Sequence, residues 1–385
     1  MVNFILGEAG SGKSSEIIEK IREYSESKKK IFVIVPEQFT FEYERKMYLK
    51  LGSAVSNSIN VLSFTRLAGF IFDTFGNRSG EYADDNVKTA VMYLAMKEIR
   101  KNKSMLYYTR QAGNRSFIKD ALGITEDLRR AAVSPERFAS LLNGADAKIR
   151  DKGFDISLIY SAYDRILTEK GYRDGLSDIT EAAAIANMND FFEESVFFID
   201  EFDSFSPDEL EMTDVAVSEA AEVFVSLCTP ETEKNEYSLF ATVNSTYLKI
   251  KAIADKYSIK CSETILDKPM RFKNAAVETL SRTVFGKRRE KISSEGFVKI
   301  TEARDFYQEA DFVCSYIRYL VNTKGYRFGE ISVASRQPED YDALLGAAME
   351  RYGIPYFSDT EKSVMHTSVV LLIRSLLELA GRKKT

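Results

Sequence analysis

The chain has 385 residues, of which 44% are apolar and 12% aromatic, and this content suffices for the cores of two or three domains. The formal net charge of −5 removes any argument for nucleic-acid binding from bulk charge, which leaves only local patches. Three widely separated cysteines and one histidine, His366, exclude a disulfide framework, a metal cluster and a Ser-His-Asp triad, so we expect a cytoplasmic protein in which His366 is structural.

The first predicted element is a short strand, Val2–Leu6, that ends in a glycine-rich loop. The loop fits the pattern GxxxxGK[ST] at every fixed position, with the residues Gly7, Glu8, Ala9, Gly10, Ser11, Gly12, Lys13 and Ser14. In such a loop the backbone N–H groups surround phosphate oxygens, the lysine adds charge and the serine offers a hydroxyl to Mg²⁺. Because helical spacing follows, we predict nucleotide binding; the alternative is a loop that kept its shape without a ligand.

Two further strand-helix pairs follow, and their alternation predicts an open parallel sheet that binds ligands at the carboxyl ends of its strands. The first strand lies in IFVIVPEQ and ends at Pro36, and the second is Ile59–Phe64; the helices are FEYERKMYLKLG and Leu67–Phe75. Polar and aromatic residues follow these strands and could contact phosphates or bases. These candidates are Gln38, Thr40, Phe64, Thr65 and Arg66. Helix capping explains several of the same residues equally well.

From about residue 81 to 190 the sequence has the spacing of amphipathic helices and almost no strand pattern, which predicts a helical insertion. Within it, residues 97–130 hold nine Lys or Arg against four acids, with Tyr107, Tyr108 and Phe117 interleaved. Basic residues mixed with aromatics can follow a DNA backbone and stack on bases. A solvated helical face is the alternative.

Two more apolar strands are predicted, SVFFI and Glu222–Cys228. The first runs directly into Asp200 and Glu201, as in a Walker B element, where one carboxylate holds Mg²⁺ and the second acts as base on the attacking water. Ser14 and Asp200 are therefore the predicted metal ligands. The long helical stretch before Asp200 is typical of a superfamily 1 helicase core and not of a nucleoside kinase or small GTPase.

The stretch from about Lys268 to Ser294, which contains KRREK, is predicted as an exposed linker. Beyond it, the strands FVKIT and EISVAS, two helices and the extended IPYF indicate a second α/β unit. Arg336 follows EISVAS and is a candidate arginine finger, with a surface salt bridge as the alternative. Charged residues interrupt the last apolar stretch, so no contact with a membrane is expected.

Six blocks, in order, carry a resemblance that spans essentially the whole chain. They are GEAGSGKS, VPEQFTFEYE, VLSFTRLA, FFIDEFDSFSPDE, VCSYIRYLVNTKGYRFGEISVASRQPEDY and YGIPYF. The chain resembles the N-terminal, helicase-like half of AddB, the B subunit of the bacterial ATP-dependent helicase/nuclease AddAB. Members of that family are longer, and their nuclease domain with its iron-sulfur cluster is expected to be absent from this fragment.

The resemblance implies a role beside an AddA-type subunit in double-strand break repair by homologous recombination, acting on single- and double-stranded DNA. It further implies recognition of a Chi-type hotspot in the exiting strand, in a groove lined by Gln38, Thr40, Phe64, Arg66 and Phe202. Gly69 stands where the best-matching pattern has an aromatic, which removes one stacking platform.

The expected fold is therefore an α/β, P-loop core of the RecA-like, superfamily 1 helicase type with an all-helical insertion and the start of a second RecA-like domain. The expected boundaries are residues 1–80 and 191–285 for the core, 81–190 for the insertion and 295–385 for the second domain. ATP and Mg²⁺ are the expected cofactors.

Two motor elements are not recognisable, namely a glutamine motif before the loop and a Gly-Asp-x-x-Gln sensor, where TPETEKNEY stands. The alternatives are therefore a DNA-reading scaffold with a structural P-loop or, less favoured, an unrelated P-loop ATPase or kinase.

Overall fold

The structure is a computed structural model. It describes residues 1–27, 29–56, 59–76, 80–102, 104–131, 133–284, 291, 293–294, 296–358, 364 and 367–382. His366, Lys103 and most of the KRREK segment, residues 287–290, lie outside the described residues. The chain divides into two compact units, residues 1–291 and 292–385, and each is described by itself. No described helix has the length and apolar content needed to cross a membrane.

The first unit is built on a six-stranded sheet in which every neighbouring pair of strands is parallel. Its strands, in chain order, are β1 (Val2–Gly7), β2 (Ile31–Ile34), β3 (Asn60–Leu62), β6 (Val196–Ile199), β7 (Glu222–Leu227) and β8 (Cys261–Leu266), while β4 (Glu81–Tyr82) and β5 (Tyr172–Arg173) form a separate short pair. The order across the sheet is β3-β2-β6-β7-β1-β8. The parallel α/β sheet predicted from the sequence is thus confirmed.

Helices cover both faces of this sheet. The helices of the first unit are α1 (Lys13–Ser25), α2 (Thr40–Leu51), α3 (Ser53–Ser56), α4 (Phe64–Phe75), α5 (Asp85–Asn102), α6 (Arg115–Arg130), α7 (Pro135–Leu141), α8 (Ala147–Glu169), α9 (Asp178–Met188), α10 (Pro207–Glu219), α11 (Ala241–Lys256) and α12 (Ala275–Thr283). Successive residues of β6 point to opposite faces, so Phe197 packs in the core beneath α4, α9, α10 and α11, and Phe198 in the core beneath α1 and α2. This two-sided burial explains the continuous apolar runs in the sequence.

A second core lies among α5, α6 and α8, apart from the sheet. Met92 and Ala95 of α5 pack with Ile159 and Tyr163 of α8, and all four side chains are buried. The following helix, α9, packs instead against α4 and α10 and contributes Ala182 to the core of the sheet. The helical pattern of this stretch therefore produces a packed bundle, and only α9 joins the sheet.

Three elements differ from the sequence prediction. Strand β8 went unpredicted because CSETIL is not a continuous apolar run: three polar residues, Ser262, Glu263 and Thr264, lie at its centre, as suits an edge strand that is only partly buried. Helix α12 lies inside the stretch predicted as a linker, where Asn274 caps it by accepting the N–H groups of Ala276 and Val277. Phe64, predicted as the end of a strand, begins α4, because the Ser63 hydroxyl accepts the Arg66 N–H as an N-cap.

The second unit consists of helices and irregular segments among its described residues. Its helices are α13 (Phe306–Lys324), α14 (Pro338–Arg351) and α15 (Ser368–Arg382). The predicted strands FVKIT and EISVAS form no ladder with any described segment. A strand requires a hydrogen-bonded neighbour, so these apolar stretches stay without strand structure in this unit.

Candidate functional site

The carboxyl ends of the parallel strands meet at one edge of the sheet, and this edge collects most of the predicted site residues. The glycine-rich loop follows β1, Gln38 and Thr40 follow β2, Thr65 and Arg66 follow β3, and Asp200 follows β6. Strand β7 lies between β1 and β6. Arg336 belongs to the second unit, where its side chain is exposed.

The glycine-rich loop connects β1 directly to α1, and the side chain of its lysine, Lys13, hydrogen-bonds back to the backbone of the loop. Gly10 and Gly12 have φ angles of +84° and +96°, in the left-handed region that favours glycine, and Gly12 is the N-cap of α1. The Lys13 ammonium donates a hydrogen bond of 2.9 Å to the Glu8 carbonyl. The Ser11 hydroxyl is buried and has no hydrogen-bond partner among the described residues. The loop thus holds an unsatisfied polar atom beside a helix N-terminus, the place where proteins bind anions.

Met270 and Arg271, which follow β8, hydrogen-bond to this loop. The N–H groups of Met270 and Arg271 donate to the Gly10 carbonyl at 2.8 and 3.1 Å. A Cβ atom built on Gly10 would lie 2.7 Å from the Cβ of Arg271, so no residue other than glycine fits there without displacing Arg271. Sequence reasoning missed Arg271 because it missed β8, the strand that carries the chain to the same edge.

Two adjacent acids follow β6 and have different surroundings. Asp200 is 1% exposed and accepts hydrogen bonds from the Tyr43 hydroxyl at 2.8 Å, from the Ser226 hydroxyl and from the Glu201 N–H at 2.9 Å. Glu201 is exposed, and one of its carboxylate oxygens accepts the Ser14 hydroxyl at 3.0 Å. Glu201 also has a φ of +66°, a costly conformation for a residue with a side chain.

The Ser14–Glu201 hydrogen bond joins the loop to the acidic pair across the intervening strand. A serine hydroxyl, carboxylates and backbone groups form a donor set of oxygens, and oxygen is the ligand atom that Mg²⁺ prefers. The unsatisfied Ser11 hydroxyl and the glycine backbone suit phosphate oxygens. The residues present therefore fit a magnesium nucleotide.

Burial raises the pKa of the Asp200 carboxyl, and the nearby charge of Glu201 raises it further. Hydrogen bonds from Ser226 and Tyr43 lower the pKa and offset part of this rise. A carboxyl whose pKa is raised by folding makes the protein less stable as the pH climbs above the unfolded value of 3.8. We predict that Asp200→Asn raises the free energy of unfolding at neutral pH by about 0.5–2 kcal/mol. The amide fits because its oxygen keeps the Glu201 N–H bond and the Tyr43 hydroxyl can turn to accept.

This gain should vanish near pH 4, which thermal unfolding at a series of pH values will reveal. Asp203→Asn is the matched control, because Asp203 is exposed in the same turn and should change little. A stability gain for Asp200→Asn that does not depend on pH would contradict the assignment.

The predicted DNA-binding residues divide into an exposed group and a buried group. Gln38, Thr65 and Arg66 are exposed, and the Arg66 guanidinium forms an ion pair of 2.9 Å with Glu37. Glu37 also accepts the Ser63 hydroxyl, so it bridges the turns after β2 and β3. Thr40 is buried and donates to the Glu37 carbonyl.

The other buried members of the set are Phe64 and Phe202, and their predicted place in a DNA groove needs correction. Both side chains are buried, and their ring centroids lie 5.5 Å apart in an edge-to-face contact. Phe205 completes the cluster at 5.8 Å from Phe64. Neither ring offers an open face to a base, because the pattern that suggested stacking platforms is that of core aromatics.

Sequence comparisons align known proteins with nearly the whole chain. The family described as ADDB, N-terminal, matches residues 4–280. The chain is 28% identical over 400 residues to the B subunit of the ATP-dependent helicase/deoxyribonuclease of Clostridium kluyveri, an alignment that covers 99% of the chain and 34% of that protein. The equivalent protein of Bacillus cereus is 28% identical over 396 residues, covering 98% of the chain and 33% of the relative. The chain thus spans about a third of the length of the curated relatives it matches.

Proposed function

Because the chain belongs to the family of AddB N-terminal regions, we propose that it is the helicase-like region of the B subunit of an ATP-dependent helicase/deoxyribonuclease. In this role it binds a magnesium nucleotide and single-stranded DNA beside an AddA-type partner. The work of the complex is the processing of double-strand breaks for recombination in the cytoplasm, including recognition of a Chi-type hotspot. The observation that carries the proposal is the hydrogen bond between Ser14 of the loop and Glu201 after β6.

For the nucleotide, each residue has a proposed role. The backbone N–H groups of Gly10, Ser11 and Gly12 hold phosphate oxygens, and Lys13 exchanges its bond to the Glu8 carbonyl for a phosphate. Ser14 and the acids after β6 would hold Mg²⁺, which supplies charge neutralisation at the phosphates when bound. Arg271, already lying against Gly10, is a further phosphate contact that we propose from its position.

For DNA, the exposed members of the predicted set remain. Gln38, Thr65 and Arg66 lie at the same sheet edge, where they can contact a strand that passes across it. The order of the strands is consistent with a RecA-like core, with the bundle of α5 to α8 as its insertion and residues 292–385 as the start of a second domain.

One observation favours the alternative, a DNA-reading scaffold that binds nucleotide without turnover. Both oxygens of Asp200 already accept hydrogen bonds from protein groups, and its burial penalises the charge that a metal requires. Under this alternative the loop still binds nucleotide, but the acid pair is a structural junction.

We expect Lys13→Ala to weaken nucleotide binding about 10- to 100-fold, since a hydrogen bond to a charged group contributes about 1.5–3 kcal/mol. The measurement is a titration of the complete protein with a fluorescent ATP analogue in the presence of Mg²⁺. Lys20→Ala is the matched control, because Lys20 lies on the same helix and pairs with Glu23 on the surface. Unchanged affinity in the Lys13 variant would contradict nucleotide binding by the loop.

ATP turnover then distinguishes a motor role for this chain from the scaffold that binds nucleotide without hydrolysis. In the complete two-subunit complex, ATP hydrolysis and unwinding with and without single-stranded DNA are compared between the wild type and Lys13→Ala. A fall in both supports a motor role for this chain. Weakened binding with unchanged turnover supports the scaffold.

A further inference from the structure

The basic residues of segment 97–130 fall into two groups by their surroundings. Arg129 and Arg130 form ion pairs, Arg129 with Asp164 and Asp174, and Arg130 with Glu126 and Asp127. The other basic residues described in this segment are exposed and form no ion pair with a described residue. They are Lys97, Arg100, Lys101, Arg110, Arg115 and Lys119. Cations that face water without a partner keep their charge available for a ligand.

These six cations belong to one end of the α5–α8 bundle. They occupy the last turns of α5, the connection at residues 104–114 and the first turns of α6. A Cβ atom on Gly113 would lie 2.8 Å from a guanidinium nitrogen of Arg100, so the connection folds back onto α5. Lys152 of α8 joins them, with its ammonium 4.9 Å from the centre of the Tyr107 ring. We call the surface formed by these seven cations and Tyr107 the basic–aromatic surface.

An aromatic side chain stands among the cations. Tyr107 is 40% exposed, and its ring lies 5.0 Å from that of Tyr108, which in turn packs 4.9 Å from Phe117. Tyr108 and Phe117 are half-buried against the bundle core and anchor the group. Leu106 adds an exposed apolar contact next to Tyr107.

The backbone that carries Tyr107 is fixed by one buried acid. Asp155 of α8 is fully buried, and its carboxylate accepts the N–H groups of Leu106, Tyr107 and Tyr108 at 2.7, 2.8 and 2.8 Å. The ring and the cations around it are therefore held in place before any ligand binds, which lowers the entropic cost of binding.

Few acids oppose this charge. Glu98, on α5, is paired with Arg165. Asp120 is exposed on α6, and Asp151 is half-buried on α8 next to Lys152. Asp155 points inward to the backbone N–H groups. Seven cations against two acids leave a strongly positive surface on a chain of net negative charge.

We propose that the basic–aromatic surface is a second binding site for single-stranded DNA, separate from the sheet edge. The cations contact phosphates, and Tyr107 and Leu106 contact an unpaired base. Duplex DNA has its bases stacked inside and would leave Tyr107 and Leu106 unused. The inference rests on the proposed DNA-binding function but requires neither nucleotide nor the residues of the sheet edge.

The test uses the complete protein without nucleotide, titrated with a labelled oligothymidylate at several salt concentrations. The double variant Lys101→Glu, Arg115→Glu should bind the oligonucleotide at least about 10-fold more weakly, with the slope of log affinity against log salt reduced by about 1.4. The control, Lys249→Glu with Lys260→Glu, makes the same change of charge at two exposed sites elsewhere and should change affinity less than twofold. Equal losses in both double variants would overturn the site.

A second pair of variants distinguishes strand types. Tyr107→Ala should weaken binding of the oligonucleotide by about 5- to 100-fold and leave a blunt duplex nearly unaffected. Tyr93→Ala, an exposed tyrosine on α5, is the aromatic control. Equal losses for the single strand and the duplex would overturn the assignment to single-stranded DNA. Intact binding by these variants together with lost nucleotide binding by Lys13→Ala would refute the surface and leave the proposed nucleotide site standing.

Discussion

Replacing Phe64 by alanine will lower the free energy of unfolding by about 3–5 kcal/mol, a large part of the stability of an ordinary domain. Phe64 is 2% exposed at the first turn of α4 and touches the rings of Phe202 and Phe205 edge to face. Truncation would remove the transfer free energy of the ring and leave a cavity between α4 and the turn after β6.

Urea unfolding of the first unit within the complete protein measures this effect. Phe41→Ala is the control, because Phe41 is 73% exposed on α2 and should change stability by less than about 0.5 kcal/mol. A Phe64→Ala protein of normal stability that had lost affinity for DNA would restore Phe64 to the DNA groove.

Replacing Asp155 by alanine will cost about 3–4 kcal/mol, because it leaves three backbone N–H groups without their acceptor. The cost stays below three full desolvation penalties, since the connection at residues 106–108 is near the surface and water can reach part of it. Hydrogen exchange should show loss of protection at these three N–H groups before the rest of the bundle opens.

Asparagine should not rescue position 155. In one orientation its NH2 group would face the N–H groups of Tyr107 and Tyr108, and in the flipped orientation that of Leu106, and backbone N–H groups cannot reverse. At position 200 the partner of the replaced oxygen is the hydroxyl of Tyr43, which can reverse. The same change is therefore expected to destabilise at one buried acid and stabilise at the other. Asp151→Asn is the control, and an Asp155→Asn protein of normal stability would contradict this reasoning.

The strands with two buried faces could be predicted, because their sequences are continuous apolar runs. IFVI and VFFI are such runs, and both lie inside the sheet. CSETIL could not be predicted in this way, because an edge strand buries fewer side chains and the three polar residues at its centre resemble those of a loop. In the second unit, EISVAS has the composition of a strand without a described strand beside it. Composition reports what a segment can bury, and pairing depends on a neighbour that can lie far along the chain.

The same limit applies to the site. Contiguous motifs suggested Gly7 to Ser14 and the pair Asp200–Glu201 as candidates, because a single turn of chain carries each set of groups. The contacts of Arg271 with Gly10 and of Lys152 with Tyr107 join residues far apart in sequence, and only the folded chain brings them together. Phe64 shows the opposite error, since an aromatic beside polar residues resembles a stacking platform until its burial is known.

The position of β1 between β7 and β8 has a consequence for the order in which the chain folds during synthesis. The residues of β1 leave the ribosome well before their partners, which begin at Glu222 and Cys261. At about 5–20 residues per second, the strand waits roughly 10–50 s for its first neighbour. During that time VNFILG is an exposed apolar segment able to pair with other nascent chains, and a chaperone that covers it would protect the yield of folded protein. The glycine-rich loop after β1 is thus synthesised long before Met270 and Arg271, the residues whose N–H groups bond to it.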